Sequence, residues 1–256
     1  MLKLITLTIL MAVPYICGSH GDFLIIDMEN NTKTLTVKEV KFTLAKPTAV
    51  QIDSMFNLMN IPFNKIDIEN WEGYEYHPNV QFRIAYSPSE IYLQYLVTEE
   101  TIKAVYEEDE GSAPYKDSCV EFFSIPGEEE VYYNLEMNCI GKGTFAGGAK
   151  RTERTKFGKD VLSKIRRYST LATKAFGIKT AAENNGAPYT WQLTVAIPLE
   201  VFSLSEVKPL KGRTIKANFY KCGDDMPKKQ YLTWNKIGTP RPNFHTPEYF
   251  GNLYFE

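Results

Sequence analysis

Two segments far apart in the chain carry the same arrangement of side chains. Ala113-Pro114-Tyr115-Lys116-Asp117-Ser118-Cys119-Val120-Glu121-Phe122-Phe123 sets a loop aromatic ahead of an extended run with a carboxylate inside it. Asn243-Phe244-His245-Thr246-Pro247-Glu248-Tyr249-Phe250-Gly251-Asn252-Leu253 sets an aromatic and a histidine in a loop that leads through Pro247 into the last alternating run. Such side chains suit a polyhydroxylated ligand. Aromatic rings stack on the apolar C–H faces of a sugar, while carboxylates, amides and guanidinium groups bond its hydroxyls. The two segments therefore read as halves of one saccharide clamp with Tyr115 and Phe244 as its rings. Glu121 follows Tyr115 on the same strand, and Glu136 and Asn138 lie on the polar face of the next. Arg241, Asn243 and His245 flank Phe244, and Trp234 opens the closing segment. The expected ligand-binding set is Tyr115, Glu121, Glu136, Asn138, Trp234, Arg241, Phe244 and His245, with no catalytic residue. Glycine at 251 allows a close backbone approach or a bulge.

Each of these residues also has a plain structural use. Trp71 and Trp234 suit a core, since a large indole is usually mostly buried. Trp191 alternates with Leu193 and Val195 and reads as core. Asp117 suits a loop anchor that accepts from backbone N–H groups. Glu121 inside a strand fits a buried structural carboxylate, Tyr115 and Phe244 fit edge aromatics packed on each other, and His245 fits a hydrogen-bonded loop residue.

The elements that must position these residues are strands. Val80, Phe82 and Ile84 share one face, as do Ile91, Leu93, Tyr95 and Val97. Val131, Tyr133, Leu135, Met137 and Cys139 share another, with Tyr132, Asn134, Glu136 and Asn138 opposite. Trp191, Leu193, Val195 and Ile197 repeat the pattern, as do Ile215, Ala217 and Phe219. This is the half-buried antiparallel signature. Ser87-Pro88-Ser89-Glu90 reads as a hairpin turn between two such runs. Helix is scarce: one short helix is expected within Gly158 to Arg167, and one turn at Pro198 to Phe202, where Pro takes the first helical position. The expected fold is all-β, an antiparallel β-sandwich of immunoglobulin-like type with one or two short helices. Residues 1–19 read as a signal peptide, 20–45 as a lead-in, and 46–256 as one sandwich domain.

Composition sets the remaining bounds. A net charge of −2 gives no pull towards nucleic acid. Lys3 and the apolar run Leu4 to Ile16, about 13 residues long, suit an export signal and are too short to span a bilayer. The mature protein is therefore expected beyond the inner membrane, secreted, periplasmic or at the cell surface. Cys17 raises lipoprotein anchoring, but Ile16 before it is larger than that modification normally accepts. Removal of the signal leaves Cys119, Cys139 and Cys222, an odd number. A Cys119–Cys139 bridge between successive strands is one reading; buried small hydrophobes are the favoured one.

Glu99 to Glu110 carries six acids and one lysine, and Lys142 to Lys179 carries eleven basic residues against two acids. Both fit solvated loops. The acidic stretch would also suit calcium, the cofactor to consider, and the basic stretch an anionic glycan.

In order and spacing the chain resembles carbohydrate-binding module family 9, within the DOMON-like sandwiches. The resemblance rests on Ile66-Asp67-Ile68-Glu69-Asn70-Trp71, on Tyr115 to Phe123, on Leu135-Glu136-Met137-Asn138-Cys139-Ile140-Gly141, and on Trp191 to Pro198 with Trp234 to Leu253. It spans roughly residues 60 to 255. It implies a sugar clamp of two aromatics, at positions held here by Tyr115 and Phe244, and an acidic hydroxyl ligand at Glu121. A position that can carry arginine holds Glu136 here, and some members bind calcium. The implied function is non-catalytic binding of an oligo- or polysaccharide in bacterial glycan capture and breakdown, beside glycan-degrading enzymes. Three alternatives remain open. Glu121 and Glu136 facing each other on successive strands would suit chemistry on glycosidic bonds. Met137 with His245 would suit haem ligation. A structural or interaction sandwich is the third.

Overall fold

The computed structural model describes residues 24–27, 32–171 and 173–256. The expected signal peptide and Cys17 lie outside the described residues. Ten strands form the body: β1 (Thr32–Glu39), β2 (Asn79–Tyr86), β3 (Glu90–Glu99), β4 (Cys119–Ile125), β5 (Tyr132–Asn138), β6 (Gly143–Gly148), β7 (Arg166–Ser169), β8 (Tyr189–Pro198), β9 (Thr214–Cys222) and β10 (Gly251–Phe255). Their order is β6-β5-β4-β9-β10-β1-β2-β3-β8-β7. The ribbon curls at β1, which pairs parallel with β10 and then, through Lys38 and Glu39, parallel with β2. The first sheet is thus β6-β5-β4-β9-β10-β1 and the second β1-β2-β3-β8-β7. Every other neighbouring pair along this path is antiparallel.

The alternation read from the sequence sets which side chains meet. Val120, Phe122, Leu135, Met137, Ile215, Ala217 and Phe219 of the first sheet face Phe82, Leu93, Tyr95, Trp191 and Val195 of the second in one buried cluster. Phe82 stacks on Phe219 across it, with centroids 3.7 Å apart. One charged pair sits among these groups: Lys221 Nζ is 3.1 Å from Glu99 Oε2, and both side chains are fully buried. Trp191 Nε1 donates to the other Glu99 oxygen at 2.8 Å, and Gln230 Nε2 donates to Oε2 at 3.2 Å.

Two elements depart from expectation. The segment read as a lead-in contains β1, the strand that joins the sheets. A ten-residue helix, α1 (Ala49–Leu58), was absent from the periodicity reading. Its start has a reciprocal capping box, with Gln51 N donating to Thr48 Oγ1 and Thr48 N donating to Gln51 Oε1. Ile52 and Phe56, one helical turn apart, cover Ala85, Tyr92 and Ala196 on the outside of the second sheet. So small an apolar face leaves little periodic trace. The helix within Gly158 to Arg167 is one turn, Lys159–Leu162, and the turn after β8 is Leu199–Val201. No helix among the described residues is long and apolar enough to cross a membrane.

Candidate functional site

The outer face of the first sheet carries the site. The odd residues of β4 and the even residues of β5 and β9 point away from the core. They bring out Cys119, Glu121 and Phe123, then Tyr132, Asn134 and Glu136, then Tyr220 and Cys222. Cross-strand register places Glu121 directly opposite both Glu136 and Tyr220, and Cys119 opposite Cys222. The closing segment folds over part of this face, so that Ile237, Phe244 and Phe250 pack on Phe123, Tyr132 and Tyr220. Asn70 and Trp71 pin that cover: Ile237 N donates to Asn70 Oδ1 at 2.7 Å, and Trp71 Nε1 donates to the Thr239 carbonyl at 2.7 Å.

A cleft of about 440 Å³ remains open beside the cover. Tyr115 stands on one wall and Phe244 with His245 on the other. Glu121, Glu136, Cys222 and Asp224 form the base, and Tyr231, Arg151, Pro242 and Asn243 complete the lining. Pro114–Lys116 is a single 3-10 turn that presents the Tyr115 ring at 37% exposure. Asp224 N donates to the Tyr115 carbonyl at 2.9 Å and fixes this turn to the end of β9. Asp117 is the loop anchor expected: its Oδ2 accepts from Val105 N, Tyr106 N and Asn138 Nδ2.

The opposite wall is built differently from a free-standing clamp ring. Phe244 is 9% exposed and stacks on Tyr220, with centroids 4.1 Å apart and planes 5° apart. One face of the ring is therefore occupied by protein. Trp71, tilted at 6.1 Å, and Tyr231, edge-on at 6.2 Å, also pack on it. His245 Nδ1 lies 2.9 Å from the Tyr132 hydroxyl, and the His245 backbone N–H donates to Asn243 Oδ1 at 3.2 Å. Burial, followed by the nearby charges of Arg154 and Arg151, lowers the His245 imidazole to about 3. It is a neutral ring over the ordinary pH range.

The base of the cleft is acidic, and Glu121 and Glu136 within it are buried. Burial, then the neighbouring Cys222 and Glu136, pushes the Glu121 carboxyl well above the usual range. Burial also raises Glu136, against the Asn134 amide, which donates to its Oε1 at 2.7 Å, and the charge of Arg154. Asp224 is raised by burial as well. A carboxyl donates as well as accepts while it holds its proton, which suits a hydroxyl partner. Arg154 itself is locked: it lies 3.9 Å over the Tyr132 ring and donates to Asn134 Oδ1 and the carbonyls of Tyr132, Ala146 and Gly148.

The structure brings Tyr115, Glu121, Glu136, Phe244 and His245 to this one cleft and puts three expected residues elsewhere. Trp234 is in the core at 1% exposure, edge-on to Phe82 and Phe219. Asn138 is fully buried; its amide donates to Asp117 and the Tyr106 carbonyl, because the loop beneath Tyr115 needs an anchor. Arg241 is exposed outside the lining, its carbonyl accepting from Thr239 Oγ1. Arg151, Asp224, Tyr231 and Cys222 line the cleft without having been singled out. Cys222 was within reach, since the alternation of Asn218 and Tyr220 extends to it; Arg151 belongs to a loop with no periodic signal.

Other readings are corrected by the same geometry. The acidic stretch does not gather around a cation. Glu99 pairs with Lys221, Glu100 with Lys228, Glu108 with Lys159, and Asp109 with Arg167 at 2.7 Å. These carboxylates are directed at separate cations, which does not fit calcium. Met137 lies in the core and His245 on the outer face, so the two cannot ligate one haem. Cys139 faces the core and Cys119 the outer face, so no bridge joins them; all three thiols are free and buried.

The family model described as carbohydrate-binding family 9 matches residues 50–255. A solved structure of a "putative carbohydrate-binding protein" from Bacteroides uniformis ATCC 8492 is 38% identical, with a TM-score of 0.82 over 88% of this chain and 100% of that one. A family 9 module from Caldicellulosiruptor kristjanssonii, in complex with glucose, is 14% identical with a TM-score of 0.53, covering 88% of this chain and 96% of that one. The same organism's module with cellotriose is 13% identical with a TM-score of 0.54, covering 88% and 94%. No curated protein matches the chain significantly.

Proposed function

The chain belongs to carbohydrate-binding family 9, and we propose that it binds an oligo- or polysaccharide, without bond chemistry, in the cleft between Tyr115 and Phe244. One observation carries this reading. An exposed ring, a second ring in the facing wall and a base of hydroxyl-bonding groups converge from distant parts of the chain on one cleft. Tyr115 supplies the stacking face. Phe244, braced by Tyr220, supplies an apolar wall. Glu121, Glu136 and Asp224 bond hydroxyls from below, and Asn243, His245 and Arg151 bond them from the rim. Glu121 and Glu136 stand side by side beneath the ligand, whereas glycosidic cleavage places its two carboxyl groups on either side of the scissile bond.

The family 9 modules solved with glucose and cellotriose support a gluco-configured ligand as the first class to test. We place the protein beyond the inner membrane, among enzymes that degrade the same glycan; the basic and apolar N-terminal sequence supports export. A glycan array of neutral and acidic saccharides, run on the mature chain, tests the binding reading. Retention of a defined saccharide class is the expected result, and retention of none would contradict it. Cell fractionation tests the location.

A further inference from the structure

At the base of the cleft three ligating side chains meet. Cys119 and Cys222 are direct partners across β4 and β9, and Glu121 lies two residues along β4 on the same face. Cys222 Sγ is 2.9 Å from Glu121 Oε1, and Cys119 Sγ is 4.0 Å from the same oxygen. All three ligating atoms lie within 4.8 Å of one another, and all three residues are buried. Zn–S bonds of about 2.3 Å and Zn–O bonds of about 2.0–2.2 Å place the ligands of a tetrahedral zinc roughly 3.5–3.8 Å apart. The two sulfur–oxygen distances bracket that spacing, so seating the ion lengthens the shorter by about 0.6–0.9 Å and shortens the longer by about 0.2–0.5 Å.

The chemistry of the set selects the ion. Two thiolates favour a zinc-class cation over calcium or magnesium, which take oxygen. Glu121 and Cys222 line the cleft, as does Asp224. A fourth position would therefore open towards the cleft, to water or a ligand hydroxyl. Carboxyl groups gather on this side of the sheet: Glu136 stands opposite Glu121, and Asp224 lines the same cleft.

We propose that Cys119, Glu121 and Cys222 form a binding site for a zinc-class divalent cation at the base of the cleft, with one coordination position open to the ligand. The site stands on its own geometry and does not rest on the saccharide reading.

The test uses the full chain, reduced and freed of metal by chelation, and titrated first with Co²⁺ and then with Zn²⁺. One equivalent of Co²⁺ should raise thiolate-to-cobalt charge-transfer absorption, and Zn²⁺ should abolish it. Cys119→Ala and Cys222→Ala should each remove the signal and weaken Zn²⁺ binding by at least about tenfold, the lower end of losses seen on removing even outer-shell partners. Glu121→Gln, nearly isosteric, should weaken it similarly while leaving near-UV circular dichroism unchanged. Cys139→Ala, which alters the thiol facing the core, should keep the signal. Absence of charge-transfer absorption in the folded wild-type chain would overturn the proposal. So would a signal that survives both cleft thiol substitutions, or one lost in a folded Cys139→Ala chain. A Cys119–Cys222 disulfide that, once reduced, still yields no Co²⁺ uptake would overturn it too and assign the pair a redox role. Since metal uptake is read with no saccharide present, its failure is distinguishable from failure of saccharide binding.

Discussion

Phe244 and Tyr220 stack face to face, 4.1 Å apart and 5° from parallel. This contact decides what each wall of the cleft can contribute. A ring with one face covered and 9% exposure is part of the fold, whereas Tyr115 at 37% exposure is free to meet a ligand. Phe244→Ala should therefore destabilise the protein by about 3 kcal/mol or more, the range for a buried phenylalanine. Tyr115→Ala should change stability by less than about 0.5 kcal/mol, as at an ordinary surface position. Urea unfolding of the two variants checks the contrast.

The carboxyl groups of the base and the neighbouring histidine should give stability opposite pH dependences. Glu121 is raised in the folded state from an ordinary value of 4.5. The folded state thus holds its proton longer than the unfolded one. This contribution is full below about 4.5 and is lost as pH rises from there through the raised folded value. His245 is lowered from 6.5 to about 3. Its contribution is full above about 6.5 and is lost as pH falls towards 3. Glu121→Gln should gain stability relative to wild type as pH rises, and His245→Gln should gain as pH falls below about 6.5. Denaturant midpoints taken between about pH 4 and 8 separate the two.

The Glu99–Lys221 pair, 3.1 Å apart and fully buried, should tolerate loss of both partners better than loss of one. Lys221→Met takes the paired cation from the buried Glu99, leaving it the Trp191 and Gln230 donors, and should cost about 3–5 kcal/mol; adding Glu99→Gln should recover part of that. A double-mutant cycle by equilibrium unfolding measures the recovery. Two single losses that simply add would contradict this account.

Gly251 is required by a close approach. A Cβ there would lie 2.5 Å from Trp234 Cζ3 and 2.9 Å from the Lys33 carbonyl oxygen. Gly251→Ala should cost about 1–3 kcal/mol through overpacking and should shift the tryptophan emission. Thermal unfolding followed by fluorescence reads both.

The strands were legible because period-two alternation dictates which side chains share a face. Tyr133, Leu135 and Met137 went to the core and Glu136 to the outside as that rule requires. That Tyr115 and Phe244 reach one cleft was legible because each precedes a strand of the same sheet. Three features were hidden. β1 serves both sheets through parallel pairing, which only the tertiary fold specifies. α1 covers the second sheet through little more than Ile52 and Phe56, although Thr48 and Gln51 spell its cap in sequence. Phe244 is covered by Tyr220, Trp71 and Tyr231, brought in from three separate segments, so local sequence gave no sign of its burial.

The central claim is that a saccharide lies on Tyr115 above the Glu121 base. Calorimetric titration of wild type and Tyr115→Ala with cellotriose, or with the best saccharide from the array, tests it most directly. The account expects wild type to bind and the equally stable variant to lose about 1–2 kcal/mol of affinity or more, roughly five- to thirtyfold. Equal affinity in the two folded proteins would place the ligand elsewhere and contradict the account.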